Sequence, residues 1–232
     1  KEKSLGANPE SYFEKIISPG TKTEFLNDDY HFIACLYWEK NSDEIYYGGL
    51  TLIDVSIGNV LTYESYGTKE DVNYALDNFR SIISKYSVSE LIVVSEDAIE
   101  FDIKTHFKTY KDVKKELNIA YQNELFKKSF KLESFLSPIE ELNLELKPNV
   151  ANSLSILLTF ILEHNYHLAE HLNLPKIIDD KKYLYLGNNA LEQLNIINTN
   201  VSLEKMINKG ISAIGRRFIK EQLLNPLRDI NI

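Results

Sequence analysis

Three histidines are the first candidates for chemistry in this chain of 232 residues. His164, His167 and His171 stand three, four and seven positions apart, with Glu163 and Glu170 among them. On a helix that spacing puts all three imidazoles near one face, where they could hold zinc. The plainer alternative is a helix end whose histidines suit the negative pole of the helix dipole. No cysteine joins them, because Cys35 is the chain's only one. Cys35 lies in the apolar run Phe32-Ile33-Ala34-Cys35-Leu36-Tyr37, which suits a small core residue better than a reactive thiol. Carboxylates are the second candidates. A nuclease of the two-metal type needs several of them converging on paired ions, and Asp54, Glu64 and Glu96 are available. The alternative for Asp54 is to accept hydrogen bonds from the turn that follows it, near Ser56 and Gly58. Neither a Gly-x-x-x-x-Gly-Lys-Ser/Thr phosphate loop nor a Gly-x-Ser-x-Gly elbow occurs. The third candidate is electrostatic. From Glu204 to Asp229 six basic residues oppose three acidic ones, a local charge of +3 in a chain whose net charge is −8. Arg216, Arg217 and Lys220 lie there and could face DNA or another domain, or line an ordinary solvated helix face.

The elements that must position these residues change character along the chain. The net negative charge argues against a protein whose main task is to coat nucleic acid. One cysteine excludes an internal disulfide framework. The longest apolar run, Leu154 to Leu162, is too short to span a bilayer, and no secretory leader pattern is present. Period-two alternation predicts strands over His31–Trp38, Ile45–Val55 and Val60–Tyr66, joined by turns at Asn41-Ser42-Asp43 and Ser56-Ile57-Gly58-Asn59. Gly48-Gly49 in the second run signals a bulge or a close backbone approach. Thr68, with Asp71 three positions on, predicts a capped helix whose apolar face runs through Val72, Leu76, Phe79, Ile83 and Tyr86. Glu90–Ser95 then reads as a buried parallel strand reached by a crossover. Phe101–Phe107 is a further strand candidate, and Asp112–Phe130 a helix. Beyond Lys131 the pattern is helical, with Val150–His171 apolar around much of its girth and therefore buried. Ser212 caps a last helix, and Asn225-Pro226 disfavours its continuation. Gly215 inside that helix predicts a close neighbour against its backbone.

Several segments also carry a resemblance. Leu191-Glu192-Gln193-Leu194, Gly215-x-Arg217-Phe218 and Pro226-Leu227-Arg228-Asp229 resemble motifs in the core domain of MutS-type DNA mismatch-repair proteins. Ser212 and Phe218 stand where that family typically has Thr and Leu. Ser18-Pro19-Gly20-Thr21 is similar to the Thr-Pro-Gly-Thr lead into the family's connector domain, and the strand and turn Gly49–Gly58 resembles a connector motif. The resemblance implies an α/β plus α chain. Residues 1–28 would be a linker from a mismatch-reading domain, 29–130 a ribonuclease-H-like connector of mixed sheet and flanking helices, and 131–232 the first part of an all-helical core or lever. It implies a chain cut from a longer, intracellular, DNA-dependent ATPase that forms a dimeric clamp on mismatched DNA. The partners so implied are mismatched DNA, a MutL-like protein and a second MutS-like subunit. ATP and magnesium would bind elsewhere in the whole protein, and this portion would hold no catalytic residue, cofactor or metal of its own. Two rival readings predict different behaviour: a ribonuclease-H-like nuclease with a helical appendage, and a helical interaction module with no ordered sheet.

Overall fold

A computed structural model describes residues 32–41, 43–86, 88–96, 99, 101–164, 171–179, 183–184, 190–197 and 201–228. The expected linker over 1–28, including Ser18-Pro19-Gly20-Thr21, lies outside the described residues, as do His167, Glu170 and Asp229. Three strands open the fold: β1 (Phe32–Lys40), β2 (Tyr46–Asp54) and β3 (Asn59–Tyr66). They pair antiparallel in sequence order, as the alternation predicts. Helix α1 (Tyr74–Lys85) crosses over to β4 (Val88–Val94), which runs parallel to β1. Strand β5 (Lys104–Lys108) adds in parallel to β4. The helices α2 (Ile119–Phe130), α3 (Pro138–Glu141) and α4 (Pro148–His164) follow. The sheet order is β5-β4-β1-β2-β3-β6, where β6 is only Lys176–Ile177. The rest comprises α5 (Ala190–Gln193), α6 (Leu203–Ile207) and α7 (Ala213–Leu224). A mixed six-stranded sheet with helices on both faces is therefore established, and the helical-module reading, which requires no sheet, is overturned. No helix among the described residues is long and apolar enough to cross a membrane.

Alternation sorts the strand side chains into two cores. Phe32, Ala34, Leu36 and Trp38 of β1, with Leu50 and Leu52 of β2, meet Phe79, Ile82 and Ile83 of α1. Ile33, Cys35 and Ile53, with Ile92 and Val94 of β4, meet Leu154, Leu157, Leu158 and Ile161 of α4. Cys35 is fully buried there, and burial pushes its thiol up from the ordinary range, away from reactivity. Helix α4 is buried nearly all round because α2 covers its second side through Leu125, Phe126 and Phe130. The second core thus runs across residue 131 without a break, joining residues from Ile33 to Ile161.

Three expectations are corrected locally, and one is met in the second of its two forms. No bulge forms at Gly48-Gly49, because the register of β2 is continuous with both neighbours. The close approach does occur: an alanine methyl at Gly49 would stand 2.3 Å from the Asn149 carbonyl carbon and 2.5 Å from the Val150 nitrogen. Helix α1 starts after Asn73, not at Thr68, whose hydroxyl instead accepts from the Asp71 amide at 3.0 Å in a turn of its own. Helix α2 starts after Asn118, whose side chain accepts from the Ala120 and Tyr121 amides, and Asp112 belongs to turns that precede it. The region beyond Lys131 is not wholly helical, since β6 pairs with β3.

Among the described residues, a methyl at Gly215 would meet nothing beyond its own cap. The nearest atom to a methyl there is the Ser212 hydroxyl at 3.2 Å, and Ile214 and Phe218 are 78% and 60% exposed. The predicted docking of a second helix on this face is absent among the described residues. Gly215→Ala should therefore stabilise α7 by about 0.5–1 kcal/mol, the ordinary helix preference for alanine. Hydrogen exchange of the α7 amides reads this directly, and faster exchange in the variant would refute it.

Candidate functional site

The carboxylates of the nuclease reading are not brought together. Asp54 ends β2 opposite Phe32, and its Oδ1 accepts from the Ser56 amide at 2.8 Å and the Ser56 hydroxyl at 2.5 Å. This is the turn-holding role. Gly58, at φ +70°, completes the turn by donating to the Asp54 carbonyl at 2.8 Å. Glu64 lies at the level of Gly49, five residues from Asp54 along β2, or roughly 17 Å at the rise of a strand. Glu96 is exposed beyond the far end of β4. Among the described residues these three carboxylates do not form the converging set that two-metal chemistry needs.

Of the three histidines, His164 and His171 are described. His164 ends α4, where its Nδ1 donates to the Phe160 carbonyl at 2.7 Å and its ring lies 4.0 Å from the Phe160 ring. His171 is in an exposed turn after the undescribed 165–170. Among the described residues no group of three or more His, Cys, Asp or Glu is arranged to hold a metal.

The basic residues of α7 differ in placement. Arg216 turns inward, donating to the Gly210 and Ile211 carbonyls at 2.9 and 3.0 Å and so closing the loop before the helix. Arg217 and Lys220 are partly exposed. At the end of α7, the Leu184 amide donates to the Pro226 carbonyl at 2.8 Å, which ties Pro226-Leu227 to Tyr183-Leu184. Beside that tie lies a cavity of about 380 Å³ between α1 and the returning chain, lined by Tyr74, Asp77, Lys85, Ile178, Tyr183 and Leu184.

Sequence reasoning does not foresee the polar network at the other end of the sheet. Glu39 accepts from the hydroxyls of Tyr37 and Tyr47, the second at 2.8 Å. Glu64 accepts from Tyr66 and, at 3.3 Å, from the Asn149 side chain at the start of α4. The only sequence signal is tyrosine recurring at strand positions. Burial raises the Glu64 carboxyl above its ordinary range against these hydrogen bonds, and burial with the Glu64 charge pushes Tyr66 up to about 12. A carboxyl raised on folding contributes stability below its unfolded pKa, which is lost as pH rises through the folded value. Glu64→Gln keeps an acceptor and removes the charge. Its melting temperature should exceed that of the unsubstituted chain at pH 7 and match it at pH 4; equal melting at both would exclude the effect.

No family model matches the chain. Individual relatives do. The chain is 29% identical to mutS homolog L359 of Acanthamoeba polyphaga mimivirus, over 99% of its own length and 25% of that protein. It is 27% identical to the DNA mismatch repair protein MutS of Caldanaerobacter subterraneus subsp. tengcongensis, over 92% of the chain and 24% of the relative. For MutS of Borrelia turicatae the figures are 25% identity, 99% and 27%. The chain spans about a quarter of the length of the curated relatives it matches. The similarity thus runs through sheet, buried helix and closing motifs alike, and the curated proteins that match the chain along almost all of its length carry the name MutS or mutS homolog.

Proposed function

We propose that this chain is the connector and the first part of the core of a MutS-like mismatch-recognition ATPase. The observation that carries this is the match to MutS proteins along almost the whole chain at only a quarter of their length. The order β3-β2-β1-β4-β5, three antiparallel strands followed by two parallel ones, supports a ribonuclease-H-like connector. Because α4 shares the core of the sheet, we place the end of the connector after α4, not at residue 131. Residues from there to α7 begin the lever, whose exposed Ile214 and Phe218 await the rest of the core. The role is mechanical. The chain relays between an ATPase and a DNA clamp inside the cell, and its connector offers a docking surface to a MutL-like protein. ATP, magnesium, the mismatch reader and the second subunit's contacts belong to other parts of the whole protein, so this portion catalyses nothing alone.

Two measurements test the proposal. The isolated chain should bind matched and singly mismatched duplexes equally, and an immobilised chain should capture a MutL-like protein from the same source saturably. Mismatch-selective binding would place the reader within this chain and overturn the division of labour. Absence of capture at tens of micromolar would remove the docking role.

A further inference from the structure

A second basic stretch lies away from α7. From Lys104 to Lys131 eight lysines oppose Asp112, Glu116 and Glu124, a local charge of +5 in a chain of −8. Lys104 pairs with buried Glu90 at 3.3 Å and belongs to the sheet. Six of the others are exposed and fall in two groups. Lys111, Lys114 and Lys115 stand in the turns before α2, on either side of Val113, which is buried in the core. Lys127, Lys128 and Lys131 lie at the end of α2, opposite its buried residues Leu125, Phe126 and Phe130. The Lys115 ammonium sits 4.6 Å from the Tyr121 ring in the first turn of α2, so the first group reaches the helix itself. From Tyr121 to Lys128 and Lys131 is ~10–15 Å along the axis at the rise of an α-helix. That span is comparable with the ~12 Å width of a DNA major groove.

We propose that the turns before α2 and the outer face of α2 form a binding surface for the phosphate backbone of a nucleic-acid duplex. The composition of the surface favours this over a protein partner. Lysine is depleted at protein–protein interfaces, whose anchors are aromatic residues and arginine. Flexible point charges suit a regular polyanion read without regard to sequence. Asp112 is occupied within its own turn, accepting from the Thr109 amide at 2.9 Å and hydroxyl at 2.8 Å. Glu124 is the one acidic side chain on the outer face of α2, between the two lysine groups. This surface rests on charge and placement alone, independent of the mechanical role proposed above.

The test is fluorescence anisotropy of the whole chain with a matched DNA duplex over a salt series. Six phosphate contacts predict a slope of log affinity against log salt near −5, a loss of a few hundred-fold between 50 and 150 mM. The Lys127→Gln/Lys128→Gln/Lys131→Gln variant should reduce the magnitude of the slope by about 3. Glu124→Lys should add about 1, a gain that misfolding cannot imitate. Arg217→Gln/Lys220→Gln on α7 should change nothing. A salt slope that survives the triple variant and disappears with the α7 pair overturns the proposal. So does binding to polyglutamate with none to the duplex, which would mark an acidic protein as the occupant. The mismatch and MutL readouts are separate from these, so either proposal can fail while the other stands.

Discussion

Gly49→Ala is expected to lose about 3 kcal/mol of stability or more, at the upper end of the cost of overpacking. The added methyl meets backbone, not a side chain that could swing away: the Asn149 carbonyl carbon and oxygen at 2.3 and 2.4 Å, and the Val150 nitrogen at 2.5 Å. Relief requires α4 to retreat from β2. Two contacts oppose that retreat. The Thr51 and Ser153 hydroxyls share a buried hydrogen bond of 2.7 Å, and the Asn149 side chain donates to Glu64. Leu154, Leu157 and Leu158 would also withdraw from the sheet, losing contacts that close packing makes costly. Against a total of about 5–15 kcal/mol for a domain, such a loss is a large fraction. Urea denaturation of the two chains measures it, with Gly215→Ala as a glycine replacement of opposite sign. An unchanged midpoint for Gly49→Ala would refute the close approach of α4 to β2 at this position.

The contrast between these glycines shows what could be seen in the sequence. Gly48-Gly49 and Gly215 carry the same local signal, a residue out of place in its element. Only tertiary packing decides whether a neighbour is present, and nothing in the local sequence encodes it. The strands were legible because one face of β1 and β2 meets α1 and the other meets α4, so alternation and high apolar content coincide. Helix starts were less so. Thr68 and Asp112 are good capping types, but both close turns of their own, and the helices begin five or more residues later. Strand β6 is two residues long and has no pattern to read.

The sites were legible to a different degree. Asp54 takes the turn-holding role that its neighbours Ser56 and Gly58 suggest. The buried Glu90, held by His106 at 2.6 Å and Lys104, gives no warning in sequence because its partners come from the adjacent parallel strand. The lysines between 104 and 131 are visible as composition. Their two exposed groups emerge only when the turns ending at Asn118 and the buried face of α2 are known. Charge counted along a chain does not say which charges share a surface.

The second large effect concerns where the first unit ends. A chain stopped after residue 131 should fail to fold, whereas one stopped after residue 164 should show a single cooperative transition. The shorter chain keeps all of β1 to β5 and α1 but leaves one face of the sheet bare, with Ile33, Cys35, Ile53, Ile92 and Val94 turned to water. Helix α4 supplies Leu154, Ile156, Leu157, Leu158 and Ile161, all buried, and full burial of such side chains contributes about 1.5–3 kcal/mol each. Roughly 10 kcal/mol is then absent from a fold whose whole margin is of that order. Thermal melting followed by circular dichroism, together with binding of an apolar dye, separates the outcomes. Native-like melting of the 131-residue chain would restore the earlier boundary and make α4 part of the lever. The single-residue counterpart keeps the conclusion testable if both truncations aggregate. Leu157→Ala in the whole chain should cost about 2–5 kcal/mol, as expected for a leucine deleted from a close-packed core. That loss should appear equally in probes of the sheet and of α4, because one core joins them. A sheet that melts separately from α4 would show that the two belong to different mechanical bodies. Shared melting makes α4 the last rigid element of the connector, and the lever then begins beyond it.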